Sequence, residues 1–219
     1  MTQSLVTTAF ATAVSTTATV TWSPTATGDL VVVSVLTLTG LPGPISGGGV
    51  TTWHSDSRVV DSLDGYGLFW GVVTSTGSST ITVGLSHSNR WAITAQQFNT
   101  TVTGGAWTLD DGAYVPLASL PPASTSVYDA AGPFLTVDHV VVGAGVYDNA
   151  TGGSTASFVY NNVGLSVPFD YGQFIYGVNI LYTGINNCVW TQSSSGNYGN
   201  TTGAFAYNVP VTMQIVMLP

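Results

Sequence analysis

Ten aspartates, three histidines, two arginines and a single cysteine carry nearly all the ionisable chemistry of this 219-residue chain, which contains no lysine and no glutamate. The densest acidic group is Asp56, Asp61 and Asp64, in the segment HSDSRVVDSLDG. Carboxylates so spaced could supply oxygens to a hard cation, and Ca²⁺ is the one ion the sequence offers a place to. The spacing is not the D-x-D-x-D-G of a calcium loop, and Arg58 sits among the acids. Turn and helix-cap roles for aspartate compete with the metal role. His54-Ser55-Asp56 and Asp138-His139 also bring ligand-type groups together along the chain. In a strand, however, neighbours point to opposite faces, so Asp138 and His139 would not share an ion. Cys188, with no basic neighbour to lower its thiol pKa, reads as a small apolar residue.

Most other chemistry is excluded by missing residue types. A P-loop and a Schiff base both need a lysine, and an H-E-x-x-H zinc site needs a glutamate. A zinc ribbon needs more than one cysteine, and no G-x-S-x-G nucleophile elbow occurs. With a net charge of −8 and only Arg58 and Arg90 positive, the chain lacks the basic surface that nucleic acid or an anionic membrane demands. No apolar run is long enough to span a bilayer as a helix. Ten aspartates can always be paired on paper, so a two-carboxylate glycosidase mechanism has no specific support.

Aromatic residues remain, with six tryptophans and ten tyrosines. Trp22, Trp53, Trp70, Trp91 and Trp190 lie in strand-like segments and are expected to fill the core. Trp107, Tyr114, Tyr128, Tyr147 and Tyr198 lie in or beside stretches that read as Gly-, Ser- and Asn-rich loops. Such aromatics make a contact surface of low entropic cost, suited to a glycan or a neighbouring subunit.

The elements that must position these residues are strands. Twenty-six glycines, ten prolines and abundant Thr and Val disfavour helix. Ile81, Val83 and Leu85 alternate with polar or small residues, as do Phe174, Tyr176, Val178, Ile180 and Tyr182, and Val209 through Met217. Leu30–Leu36 and Val140–Val142 are continuous apolar runs, expected of central strands covered on both faces. Turn signals fall at 41–49, 75–79, 110–112, 152–154 and 193–203, and short turns of helix fit near 56–64 and 124–129. The expectation is an all-β chain, a double-sheet antiparallel β-sandwich of jelly-roll type forming one domain over residues 1–219. A weak internal repeat divides it into halves of about 1–105 and 106–219. GDLVVVSV, VTTWHS, YGLFWGVV, SSTITVGLS and WAITAQQF are echoed by VDHVVVGAGVYD, ASFVYN, QFIYGVNILYT, NNCVWTQ and AFAYNVPVTMQIVML. The two halves together would supply eight to ten strands.

Gly28-Asp29-Leu30, Trp53, the strand at 66–73 and the strand at 78–86 follow a pattern that resembles β-sandwich proteins of tailed-bacteriophage virions, the minor tail or minor structural proteins. The resemblance covers most of the first half and, more loosely, the second. It implies a non-enzymatic virion protein, placed on the tail or as a capsid decoration. Its partners would be other virion subunits, in a homo-oligomer, and a host-surface glycan, with neither nucleic acid nor membrane insertion. It also implies synthesis in the host cytoplasm, which agrees with an N-terminal segment that lacks the basic start of a signal peptide. Two alternatives stand beside it: a carbohydrate-binding module of a secreted or surface protein, and a polysaccharide hydrolase.

Overall fold

The computed structural model describes residues 3–37, 41–60, 65–101, 103–120, 125–134, 139–148, 156–159, 164–169, 172–181, 184–192 and 196–208, with side-chain packing over most of residues 4–109. Every regular element among them is a β-strand and every pairing is antiparallel. The all-β sandwich or barrel class expected from composition and period is therefore the class observed.

The first half contributes β1 (Gln3–Trp22), β2 (Leu30–Thr37), β3 (Pro42–Gly47), β4 (Val50–Val60), β5 (Gly65–Val73) and β6 (Ser79–Thr100). Their order is β1-β6-β2-β5-β4, with β3 added to β6. The two long strands serve two layers. β1 pairs with β6 from Gln3↔Thr100 to Ser15↔Asn89, then resumes at Thr17↔Gly84. One residue of β1 thus faces several of β6, and a bulge of this kind bends both strands. Before the bend β6 pairs with β3, and after it with β2. The sheet folds over itself and nearly closes into a barrel.

Inside lie Val31, Val33 and Val35 of β2, Phe69 and Val73 of β5, Ala18, Val20 and Trp22 of β1, and Ile81, Val83, Trp91, Ile93 and Ala95 of β6. On the opposite face, Leu30, Val32, Leu68, Trp70 and Phe98 form a second buried cluster with Trp107. The apolar run that begins at Leu30 is continuous because β2 is covered on both sides, as its sequence predicts. Trp22, Trp70 and Trp91 are core residues and Trp53 is half-buried against them, again as expected.

The second half contributes β7 (Ala106–Leu120), β8 (Thr125–Phe134), β9 (His139–Asp148), β10 (Ala156–Val159), β11 (Gly164–Phe169), β12 (Gly172–Leu181), β13 (Gly184–Gln192) and β14 (Gly196–Asn208). Its five-stranded sheet runs β7-β14-β9-β12-β11 and its small sheet β8-β13-β10. This is the topology of the first half. β9 holds the place of β2, β12 that of β5 and β11 that of β4. β7 and β8 take the two arms of β1, β14 and β13 those of β6, and β10 that of β3. The register agrees as well. Phe98 pairs with Leu5 and Leu30, while Phe205 pairs with Leu109 and Val140.

The two-half repeat is therefore structural, but it joins differently from expectation. Among the described residues no strand of one half hydrogen-bonds to the other, so the halves do not share one double sheet. They stack instead: β7 lies against β4, β14 against β5 and β9 against β2. β2 and β9 are equivalent strands, and the other contacts match strands in reversed order. The stacking is that of a pseudo-two-fold pair.

Several turn expectations give way to strand. The 41–49 turn is mostly β3, an edge strand that tolerates proline. Only its end turns, through Gly47, Gly48 and Gly49 at φ of 82°, 71° and 73°. Segments 110–112 and 196–203 lie within β7 and β14. The suggested helical turns are strand wherever they are described, in β4 and β8. Residues 61–64 and the last strand expected at 209–217 lie outside the described residues.

Candidate functional site

The most organised polar constellation sits where β1 leads into β2. Gly28, at φ 90°, makes the turn and donates its N–H to the Val73 carbonyl at 2.9 Å. The Val73 N–H donates to the Asp29 carbonyl at 2.9 Å. This ties the entry of β2 to the exit of β5 and turns the Asp29 side chain inward, where it is 8% exposed. Gln97 of β6 meets it. The Gln97 amide donates to Asp29 Oδ2 at 2.5 Å and to Thr25 Oγ1 at 3.0 Å. The Thr25 N–H donates back to Gln97 Oε1 at 3.3 Å. Burial pushes the Asp29 carboxyl above the usual carboxylate range, and the Gln97 hydrogen bond opposes that rise. The group is a clasp across three strands. Its carboxylate is occupied by an amide, and no nucleophile or second acid stands beside it in the described contacts.

Beside the clasp lies a recess of about 200 Å³ lined by Gly28, Val72, Gly105, Ala106 and Trp107. The Trp107 indole donates to the Gly28 carbonyl at 3.1 Å, and the ring is only 5% exposed. The sequence reading placed Trp107 among exposed loop aromatics. It is instead a buried residue of β7 that seals the outer face of the first half, with Leu109 packed against the same cluster.

The other aromatic candidates are also in strands. Tyr114 pairs with Thr201 in β7, and Tyr128 with Val189 in β8. Tyr147 of β9 and Tyr198 of β14 occupy directly opposed register positions, so these two of the five expected binding residues are brought together. Of the acidic cluster, Asp56 falls in β4 at a register shift against β5, while Asp61 and Asp64 lie outside the described residues. Among the described residues no three His, Cys or Asp side chains are grouped as for a metal. The histidines are separate: His54 stacks on Trp70 with ring centroids 4.3 Å apart, and His87 shares a 2.9 Å hydrogen bond with Ser86. His139 pairs with Leu181 and Ala206 in β9.

Sequence reasoning missed Gln97 and Thr25. The signal was present as two consecutive glutamines, Gln96 and Gln97, in the largely buried second arm of β6. A buried amide in such a strand calls for a partner.

The outside of the first half is as informative. Its exposed described residues are Thr, Ser, Gly, Ala and a few apolar side chains together with His54 and His87. No family model matches the chain, and no curated protein or solved structure matches it.

Proposed function

We propose that the protein is a non-enzymatic structural subunit of a tailed-bacteriophage virion, in the minor tail or as a capsid decoration, and that it works by contact with other subunits. The observation that carries this reading is the surface just described. A soluble domain ordinarily keeps itself apart from its neighbours with mixed charge. Here only 5% of the chain is charged, and hydroxyls and small side chains take the place of charge on the described surface. Such a surface favours packing against like surfaces. Two arginines in the whole chain make no basic field of the kind nucleic acid requires. A host-surface glycan is the second partner of this reading, supported by the opposed register positions of Tyr147 and Tyr198.

Mass spectrometry of purified virions of the encoding phage tests the proposal. The protein should be present in stoichiometric amounts, and its absence from intact particles would overturn the assignment. The glycan contact is tested by array binding of the wild type and Tyr198→Ala. Loss of signal in the variant supports it, and an array without signal for the wild type removes it.

A further inference from the structure

The two five-strand orders, β1-β6-β2-β5-β4 and β7-β14-β9-β12-β11, end in four outer strands, and three of them are guarded against pairing with a further strand. β4 has register shifts between Val50 and Trp53 and between Ser55 and Ser57, and its sequence includes His54, Asp56 and Arg58. β7 contains Asp110, Asp111 and Pro116 and is interrupted by two register shifts against β14. β11 is six residues long and includes Pro168. Short length, charge, proline and bulges are the means by which proteins block edge pairing.

β1 has none of these along Thr7–Ser15. Its nine residues, TTAFATAVS, run in unbroken register with β6 from Thr7↔Gln97 to Ser15↔Asn89. The whole of β1 is free of charged residues and of proline. Among the described residues β6 is the only strand paired with it, so every second backbone N–H and C=O of this arm faces outward. Thr12, Ala13 and Val14 are exposed, with Val14 at 64%.

We propose that this edge is an interface with a second copy of the same chain, paired antiparallel through β1 so that the sheets of the two copies become one. The charge pattern selects this occupant. A basic partner would prefer an acid-bearing edge such as β7, whereas a second copy, itself of net charge −8, needs an edge without acids. Two copies of that chain can approach closely only where neither brings an acid, and β1 is such a place. The geometry closes as well. Outward-facing groups belong to alternate residues, so a two-fold axis must pass through a residue and not between two. With the axis at Ala11, Thr7 faces Ser15, Thr8 faces Val14 and Ala9 faces Ala13, and no like charges oppose each other. This deepens the subunit-contact reading, yet it concerns the purified protein alone. A protein absent from virions could still pair this way, and a virion protein could fail to.

The test is the mass of the purified full chain by light scattering over a dilution series, with hydrogen exchange on the same samples. The wild type should be a dimer with slowed exchange at alternate amides of Thr7–Ser15. Val14→Lys and Ala13→Lys should each weaken the dimer by at least roughly tenfold while leaving the melting temperature of the monomer in place. Thr52→Lys, exposed on guarded β4, should leave the dimer unchanged. A wild type that stays monomeric at the highest concentration overturns the proposal, whether its β1 amides exchange fast or are protected by another part of its own chain. So does a dimer indifferent to both β1 lysines.

Discussion

Asp29 shows how one buried residue sets a pH response. Its carboxyl holds its proton to higher pH in the folded protein than in the unfolded chain, because burial disfavours the anion. Between the ordinary and the raised value the folded state therefore binds more protons, and stability rises as pH falls through that window. Asp29→Asn keeps an oxygen to accept from Gln97 and removes the buried charge. The variant should melt higher than the wild type at about pH 7, and the gap should close as pH falls toward about 3.5, which parallel thermal melts would read. Asp29→Ala differs, since it leaves one Gln97 N–H without its acceptor, and should cost about 1–3 kcal/mol by denaturant titration. Trp107→Ala removes a buried ring and its bond to Gly28, with an expected loss of about 3–5 kcal/mol. The sequence marked both residues as notable but not for these reasons. Gly28-Asp29-Leu30 was visible as a motif, whereas the partner that gives Asp29 its meaning lies 68 residues away. Trp107 follows two glycines and reads as a loop residue until the apolar face it covers is seen.

At the scale of elements, the hairpin between β3 and β4 shows why some strands escape a reading by period. Pro42, Pro44 and four glycines between Gly43 and Gly49 hide a real edge strand, because such a strand needs few of its own N–H groups for pairing. The echo of VTTWHS with ASFVYN was misplaced for this reason: VTTWHS is in β4, but ASFVYN begins β10, the counterpart of β3. Two other echoes fall in counterpart strands. GDLVVVSV and VDHVVVGAGVYD became β2 and β9, and YGLFWGVV and QFIYGVNILYT became β5 and β12. Apolar central strands keep their pattern under burial on both faces, while edges and bends do not. β6 looked like two strands because its bend carries polar Ser86–Ser88. The same hairpin gives a sharp test. The Gly49 carbonyl accepts from the Thr74 and Ser75 N–H groups at 2.7 and 3.0 Å, and a Cβ on Gly49 would lie 2.1 Å from the Ser75 carbonyl oxygen. Gly49→Ala should lower the melting temperature by several degrees, whereas Thr52→Ala, exposed on the adjoining β4, should not.

For the whole molecule, stacking of equivalent sheets makes each half the cover of the other. Leu30, Val32, Leu68, Trp70 and Phe98 are buried in a cluster that includes Trp107 of the second half. Residues 1–105 made alone would bare that apolar face, and they should associate or bind a hydrophobic dye where the full chain does not. A fragment that is monomeric and dye-negative would count against the stacked arrangement.

The pairing of β1 with β6 has a further consequence in time. Ser4 donates to Asn99 across 95 residues of chain, so β1, made before β6, finds its partner only when the last strand of its half has emerged. Contacts of such long range make folding slow, and no local helix or early hairpin shelters β1 in the interval. At roughly 5–20 residues per second, the segment Thr7–Ser15 waits several seconds on the ribosome as a neutral, β-prone stretch open to any like strand. Chains translated side by side on one message would be at risk of pairing before either is finished, so that crowding of ribosomes, more than the melting temperature, should set the yield of folded protein.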